Sequence, residues 1–306
     1  MKVRTLYTDG KGKFIETDYD KPEPGPHEIE VKAIYTGVCR SDIDMMQGRF
    51  TTLPLNMQGH EGLGQVTKLG SEVFDIRVGQ YVATRGEPAY ADYYNVRQGE
   101  YVRVPEINPK YILEPVACGI NLLLQDYMLV KRIADKPDCR VCVIGTGFLA
   151  KVVYDSLKVL YPTKFPGMDI TVIGSSNAER WGHLLKSRFE GSYDLIIDLS
   201  SSDTIFINPQ IVANQAVIIL GAEKNPAICT TFSDLLWKAT TIVMPSPRTD
   251  QFIKAMTQAS ISVEHNIIDV RDMWTQAYDR DTEWTKAFED GVNRPRGYNR
   301  GYIKWD

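Results

Sequence analysis

The stretch from Arg140 to Ala150, R-V-C-V-I-G-T-G-F-L-A, constrains the fold of this chain more than any other. Val141 to Ile144 is an unbroken apolar, largely β-branched run, the signature of a parallel strand buried on both faces. It stops at Gly145. Gly145, Gly147 and Ala150 then form G-x-G-x-x-A: the first glycine permits a tight turn, the second lets a pyrophosphate approach the backbone, and the small third residue lets helix and strand pack closely. Lys151–Leu160 reads as the helix that follows and Asp169–Ile173 as the next strand, which completes a βαβ unit. The residues from Gly145 through Thr146, Gly147, Phe148, Leu149 and Ala150 are therefore the expected cradle for a dinucleotide at a helix N-terminus.

Beyond that unit the alternation continues. Ala178–Arg188 reads as helix, Tyr193–Leu199 as strand, Pro209–Val212 as helix, Ala216–Leu220 as strand, Phe232–Lys238 as helix and Thr241–Met244 as strand, a doubly wound parallel sheet. Only residues 174–192 separate two of its strands. That is too short for a helix, an edge strand and a second helix, so the sheet is expected to be trimmed by an edge strand. The first 110 or so residues differ: Lys2–Tyr7, Glu28–Tyr35, Gly64–Leu69, Gln80–Thr84 and Tyr90–Val96 are short β-like runs between Gly and Pro, with Ser41–Gln47 as a brief helix. They read as a small irregular β-barrel, and Tyr111–Val130 as the helical exit from it. Ile303 and Trp305 offer a last strand returning to the barrel. The expected domains are 1–118 with 265–306 for the barrel and 119–264 for the nucleotide-binding sheet.

With 306 residues, a net charge of −4 and 43% hydrophobic content, the composition is that of an ordinary globular protein. Nothing in it points to nucleic acid, and no apolar run reaches the roughly 18 residues of a membrane helix. The five cysteines follow no disulfide framework, which together with a start lacking a signal-peptide core leads to a cytoplasmic expectation. Cys139 and Cys142 form C-x-x-C, but Cys142 lies in the buried strand and no second pair exists to complete a zinc knuckle.

Three stretches outside the sheet domain carry metal-ligand chemistry. G-V-C-R-S-D-I-D (37–44) offers the Cys39 thiolate, G-H-E-G (59–62) offers His60 and Glu61, and L-E-P (113–115) offers Glu114. Zinc is held by such donors, and a catalytic site leaves one position open. Asp42, three residues after Cys39, is placed to orient His60 from behind.

Taken in order, T-G-V-C-R-S-D, G-H-E-G-L-G-Q-V, E-P-V-A-C-G and V-I-G-T-G-F-L-A, with P-E-P-G-P-H-E-I-E-V-K near the start, resemble the zinc-dependent medium-chain dehydrogenase/reductase superfamily of alcohol, polyol and threonine dehydrogenases. The resemblance covers nearly the whole chain. It implies a chaperonin-10-like catalytic barrel, a Rossmann-like nucleotide domain, one catalytic zinc and a homodimer joined at the nucleotide-domain edge. Cys39 and His60 match zinc ligands, Glu61 matches a glutamate that can approach the metal, and Glu114 matches the E-P stretch of the polyol branch, as a ligand directly or through water. Ser41 falls where the hydroxyl that passes the substrate proton stands. Asp44 occupies the place of a frequent relay histidine. Ala83–Ala91 runs across the place of a cysteine-rich lobe, so no structural zinc is expected. Met45, Met46, Phe50 and Trp274 are candidates for the substrate pocket.

No acid stands at the tip of the strand ending at Ile173, where NAD-binding chains commonly place one. Ser175, Ser176 and Arg180 follow instead and can hold a 2′-phosphate, resembling the S-x-S…K/R signature of NADP-dependent members. The sequence therefore leads to an NADP(H)-dependent zinc oxidoreductase acting on a small alcohol, polyol or the corresponding carbonyl. A zinc-free quinone or enoyl reductase on the same scaffold, and a non-catalytic NADP-binding protein, are the alternatives.

Overall fold

Val141, Cys142 and Val143 are fully enclosed in the computed structural model, and alternate residues of their strand feed two different cores. The structure describes residues 1–49, 58–160, 168–175, 178–222, 232–249 and 251–305. The chain divides into two compact units, residues 1–117 with 256–306 and residues 118–255. The second crossing thus falls inside a helix, at Met256, rather than at the expected 265: an uninterrupted helical turn carries no composition change by which a boundary could be read.

In chain order the first unit contains strands β1 (Lys2–Tyr7), β2 (Ile15–Asp20) and β3 (Glu28–Gly37), helix α1 (Arg40–Met46), and strands β4 (Gly62–Leu69), β5 (Tyr81–Thr84), β6 (Tyr93–Arg97) and β7 (Tyr101–Val104). Helix α2 (Glu114–Leu124) leads out, followed by α3 (Tyr127–Ala134). The single helical exit expected over 111–130 is broken at Gln125, because Asp126 caps a new helix by accepting the Leu129 N–H at 3.3 Å.

The second unit continues with β8 (Arg140–Ile144), α4 (Phe148–Leu160), β9 (Asp169–Ile173), β10 (Leu185–Lys186), β11 (Tyr193–Asp198), α5 (Thr204–Ile207), β12 (Val212–Leu220), α6 (Ser233–Trp237) and β13 (Thr241–Val243). All pair in parallel, in the order β10-β9-β8-β11-β12-β13. Two expectations need correction. The edge beyond β9 is not vacant: Leu185 and Lys186 pair with Val172 and Ile173, so the sheet has its sixth strand, reduced to two residues. The expected helix over 178–188 is replaced by two 3₁₀ turns, Ala178–Arg180 and Gly182–Leu184, which cover less length and leave room for that strand. Residues 209–211 are likewise a 3₁₀ turn, and Val212 already belongs to β12.

A strand's side chains alternate between faces. Val141 and Val143 join Val130, Ile133, Ala150, Val153 and Leu157 on one side, while Cys142 and Ile144 join Ile196, Ile205 and Ile218 on the other. Each of the Val, Ile and Leu side chains among them contributes about 1.5–3 kcal/mol on burial. Both faces are therefore covered, as a parallel sheet requires.

The chain returns to the first unit through α7 (Phe252–Glu264), β14 (Trp274–Asp279), α8 (Trp284–Asn293) and β15 (Arg300–Lys304). A seven-stranded sheet runs β14-β15-β3-β4-β5-β7, with β6 also on β3, and β1 and β2 form a separate antiparallel pair. β3 is the pivot. It pairs with β4, β6 and β15, and Ile29, Val31 and Ala33 sink from it into a core shared with Tyr90, Phe288 and Ile303.

Candidate functional site

Strand register builds the site. Thr36 of β3 lies opposite Gly62 of β4, and the Gly37 N–H donates to the Glu61 carbonyl at 2.9 Å. Two residues beyond Gly37 stands Cys39, and immediately before Gly62 stand His60 and Glu61, so antiparallel pairing brings G-V-C and G-H-E-G together. Both glycines of G-H-E-G are required. Gly59 has φ +78°, and a Cβ there would sit 2.5 Å from the Tyr90 amide; at Gly62 it would run into the Tyr94 and Thr84 hydroxyls.

Cys39, His60 and Glu61 place one ligand atom each within 4.8 Å of one another. Glu61 is fully buried, and its Oε2 has no hydrogen-bond partner. Asp42 is also fully buried; its Oδ2 accepts the Cys39 N–H at 3.0 Å and its Oδ1 lies 3.5 Å from His60 Nδ1. His60 Nε2 meets the Ser41 hydroxyl at 3.4 Å. Burial raises the Asp42 pKa and outweighs the opposing pull of His60 and the Tyr90 hydrogen bond. Burial works against a charged His60, but Asp42, Cys39 and Glu114 outweigh it and lift the imidazole well above its ordinary value. Glu114, buried at the first turn of α2, lies outside the three-group cluster, yet its charge acts on both His60 and Arg300. The thiol, imidazole and carboxylate form a zinc-type donor set, and the unpartnered Glu61 Oε2 beside them fits a bound cation.

One member escaped the sequence reading. β15 pairs with β3 at Tyr302 opposite Gly37, and the Val38 N–H donates to the Gly301 carbonyl, so Arg300 arrives next to the ligands. Its guanidinium pairs with Glu61 Oε1 and lies 5.5 Å from the centre of the Trp274 ring. Burial opposes its charge, but Glu61, Cys39 and Glu114 more than compensate and hold it protonated. No local pattern marks Arg300; only the pairing of the chain's last strand does.

Other expected residues fall elsewhere. Asp44 is engaged by Arg40 and Arg49, so it is committed to ion pairs on the helix surface. Met45 and Met46 are buried, Met46 within the core of the first unit. Trp274 does lie beside the site, and Phe50 is outside the described residues. Cys139 and Cys142 form no disulfide and are buried, and burial pushes the Cys142 thiol up to about 12.

In the second unit the glycine-rich turn has the expected form. Gly145 takes φ +131°, donates its N–H to the Ile173 carbonyl at 2.8 Å and leads through Thr146 to Gly147, where a Cβ would meet open space. Phe148 is buried at the start of α4, Leu149 is half-buried, and Ala150 packs into the core as the motif demands. The buried indole of Trp181 donates to the Thr146 carbonyl at 3.2 Å and steadies the turn from a position the sequence reading passed over. Ser175 and Arg180 are exposed past the tip of β9, Arg180 in a 3₁₀ turn; Ser176 lies outside the described residues.

Comparison with known proteins places the fold. Residues 25–138 match the alcohol dehydrogenase GroES-like domain. A sorbitol dehydrogenase of Halalkalibacterium halodurans is 34% identical over 84 residues, 28% of this chain and 24% of its own. An NAD-dependent alcohol dehydrogenase of Sulfurisphaera tokodaii is 25% identical over 275 residues, 72% of this chain and 78% of its own. Other curated relatives, such as a vomilenine reductase of Rauvolfia serpentina, are matched over 56% of their length. The chain thus spans between about a quarter and just over half of several of the relatives it matches. Among solved structures, a proposed zinc-binding dehydrogenase of Sinorhizobium meliloti bound to NADP superposes with a TM-score of 0.77 at 16% identity, over 99% of both chains, and shares the fold. Residues 25–138 thus carry the alcohol dehydrogenase GroES-like domain, and the chain, with a chaperonin-10-like unit and a Rossmann-like unit, is similar to alcohol and polyol dehydrogenases of the medium-chain dehydrogenase/reductase superfamily. Among the described residues no helix is long and apolar enough to cross a membrane.

Proposed function

We propose that the protein is a zinc-dependent oxidoreductase that exchanges a hydride between NADP(H) and an alcohol, polyol or the corresponding aldehyde or ketone. The convergence of Cys39, His60 and Glu61 carries the reading, because it supplies thiolate, imidazole and carboxylate around one point. Zinc held there, with Glu114 contributing directly or through water, would polarise the substrate oxygen and lower its pKa. Asp42 orients His60 through Nδ1, and Arg300 balances one oxygen of Glu61 while leaving the other toward the site. Ser41, partly buried and within 3.4 Å of His60 Nε2, is the hydroxyl placed to pass a proton to or from the substrate oxygen.

The second unit supports the cofactor assignment. Gly147 leaves its approach open and α4 presents a helix N-terminus for the pyrophosphate. Ser175 and Arg180 supply a hydroxyl and a positive charge past the tip of β9, where an acid would select NAD; Ser176, named with them from the sequence, lies outside the described residues. A second copy of this chain is the expected partner, joined at the β13 edge, where Leu236, Trp237 and Met244 are 76%, 87% and 70% exposed. The test is a screen of alcohols and polyols with NADP and NAD on protein of measured metal content. Turnover that follows zinc content and favours NADP supports the reading; full turnover in chelated protein, or none with any alcohol or carbonyl, overturns it.

A further inference from the structure

We propose that Tyr90 is a positioning residue of the metal site: its hydroxyl fixes Asp42, and through Asp42 the His60 imidazole, so that Nε2 is presented to a divalent cation. The inference rests on the reading of Cys39, His60 and Glu61 as ligands. It assigns a role to a side chain outside the Cys39, His60 and Glu61 cluster.

Tyr90 is fully buried, and its hydroxyl donates to Asp42 Oδ2 at 2.7 Å while lying 3.0 Å from the Gly37 carbonyl oxygen. The same Oδ2 takes the Cys39 N–H, which leaves Oδ1 turned to His60 Nδ1. The ring lies under the other ligand-bearing turn: a Cβ on Gly59 would stand 2.6 Å from Tyr90 Cγ. One phenol therefore touches the residue before His60, the backbone before Cys39, and the carboxylate that links the two.

The phenol is rigidly held. Phe14 and Phe288 pack edge-on against it with ring centres 5.8 and 5.4 Å away, and the Tyr90 carbonyl accepts from the Leu6 N–H and the Thr5 hydroxyl. A hydroxyl so fixed can transmit position. Groups that hold a metal-binding histidine from behind typically change metal affinity by about 10–100-fold when altered. Tyr90 acts one hydrogen bond further out than Asp42, so its effect belongs at the low end.

The experiment measures zinc affinity of the full chain by chelator competition, with the visible spectrum of the cobalt-substituted protein, for the parent, Tyr90→Phe, Asp42→Asn and the double variant. Tyr90→Phe is expected to weaken zinc by about tenfold and to change the cobalt spectrum. The double variant is expected to bind no more weakly than Asp42→Asn alone, because a hydroxyl that acts through the carboxylate has nothing left to act on. Affinity in Tyr90→Phe within about twofold of the parent, or a double variant that loses both effects in full, overturns the proposal. If Tyr90→Phe does not fold, 3-fluorotyrosine at position 90 keeps the hydroxyl and makes it a stronger donor at the cost of one small ring substituent; a zinc affinity and cobalt spectrum that both change then support the proposal, and an unchanged affinity refutes it. A parent that binds no zinc, or binds it equally well as Cys39→Ser, removes the ligand reading and this inference together. A zinc-binding parent matched by Tyr90→Phe removes this inference alone.

Discussion

Gly37 and Glu61 share one small volume: a side chain on the glycine would overlap the Glu61 Oε2 and stand 3.1 Å from the Trp274 ring. Gly37 is thus empty so that the carboxylate can lie across it. Gly37→Ala is expected to displace Glu61 from Arg300, lower zinc content and cut turnover, at a stability cost of about 1–3 kcal/mol for overpacking. Metal analysis and thermal melts on the same preparation check it; a variant that keeps its zinc and its turnover contradicts the geometry.

Cys39 contributes the sulfur of the cluster and forms no disulfide. Purified protein is expected to hold close to one zinc per chain. Cys39→Ser should lose both zinc and turnover while circular dichroism stays that of the parent, since the residue is only half-buried. Two zincs per chain would contradict the ligand set.

Arg180 stands past the tip of β9 with Ser175. A charge-assisted contact with a 2′-phosphate is worth about 1.5–3 kcal/mol. Arg180→Ala should therefore reduce the ratio of kcat/KM for NADP over NAD by about tenfold or more. Native protein that prefers NAD, or an unchanged ratio in the variant, speaks against the assignment.

Lys21 and Glu30 form a buried ion pair at 2.6 Å, with Asn95 on the lysine and Thr67 and Lys68 on the glutamate. Burial disfavours the Glu30 charge, but Lys21, Thr67 and Lys68 outweigh it and lower its pKa. With the folded value below the unfolded value of about 4.3, the pair's contribution is complete above that pH and is lost as pH falls through the folded value. Lys21→Met leaves Glu30 buried beside its weaker partner Lys68, a loss of about 3 kcal/mol at neutral pH. Denaturant midpoints of parent and variant should converge as the pH drops below about 4. A gap that widens in acid would reverse the sign.

The ligand motifs and the glycine-rich turn were legible because their chemistry is local: G-H-E-G needs glycines to sit against Tyr90 and Tyr94, and G-T-G needs Gly145 at positive φ. Arg300, Tyr90 and Trp181 were not. Each reaches its partner across the fold, Arg300 to Glu61 through β15, Tyr90 to Asp42 from the loop after β5, and Trp181 to Thr146 from beyond β9. The edge strand was missed for a different reason: a counting argument assumed full helices, and the chain used 3₁₀ turns.

That edge has a consequence for how copies of the sheet can meet. A strand of two residues exposes few unpaired backbone groups, and very short edge strands are a recognised way to deny a template to another chain. The opposite border, β13, offers three residues next to uncovered Trp237 and Leu236. Among the described residues the sheet is thus asymmetric at its borders: if a second copy pairs by strand addition, it is expected to do so at β13, and a pairing of that kind joins two sheets without running on into a fibre.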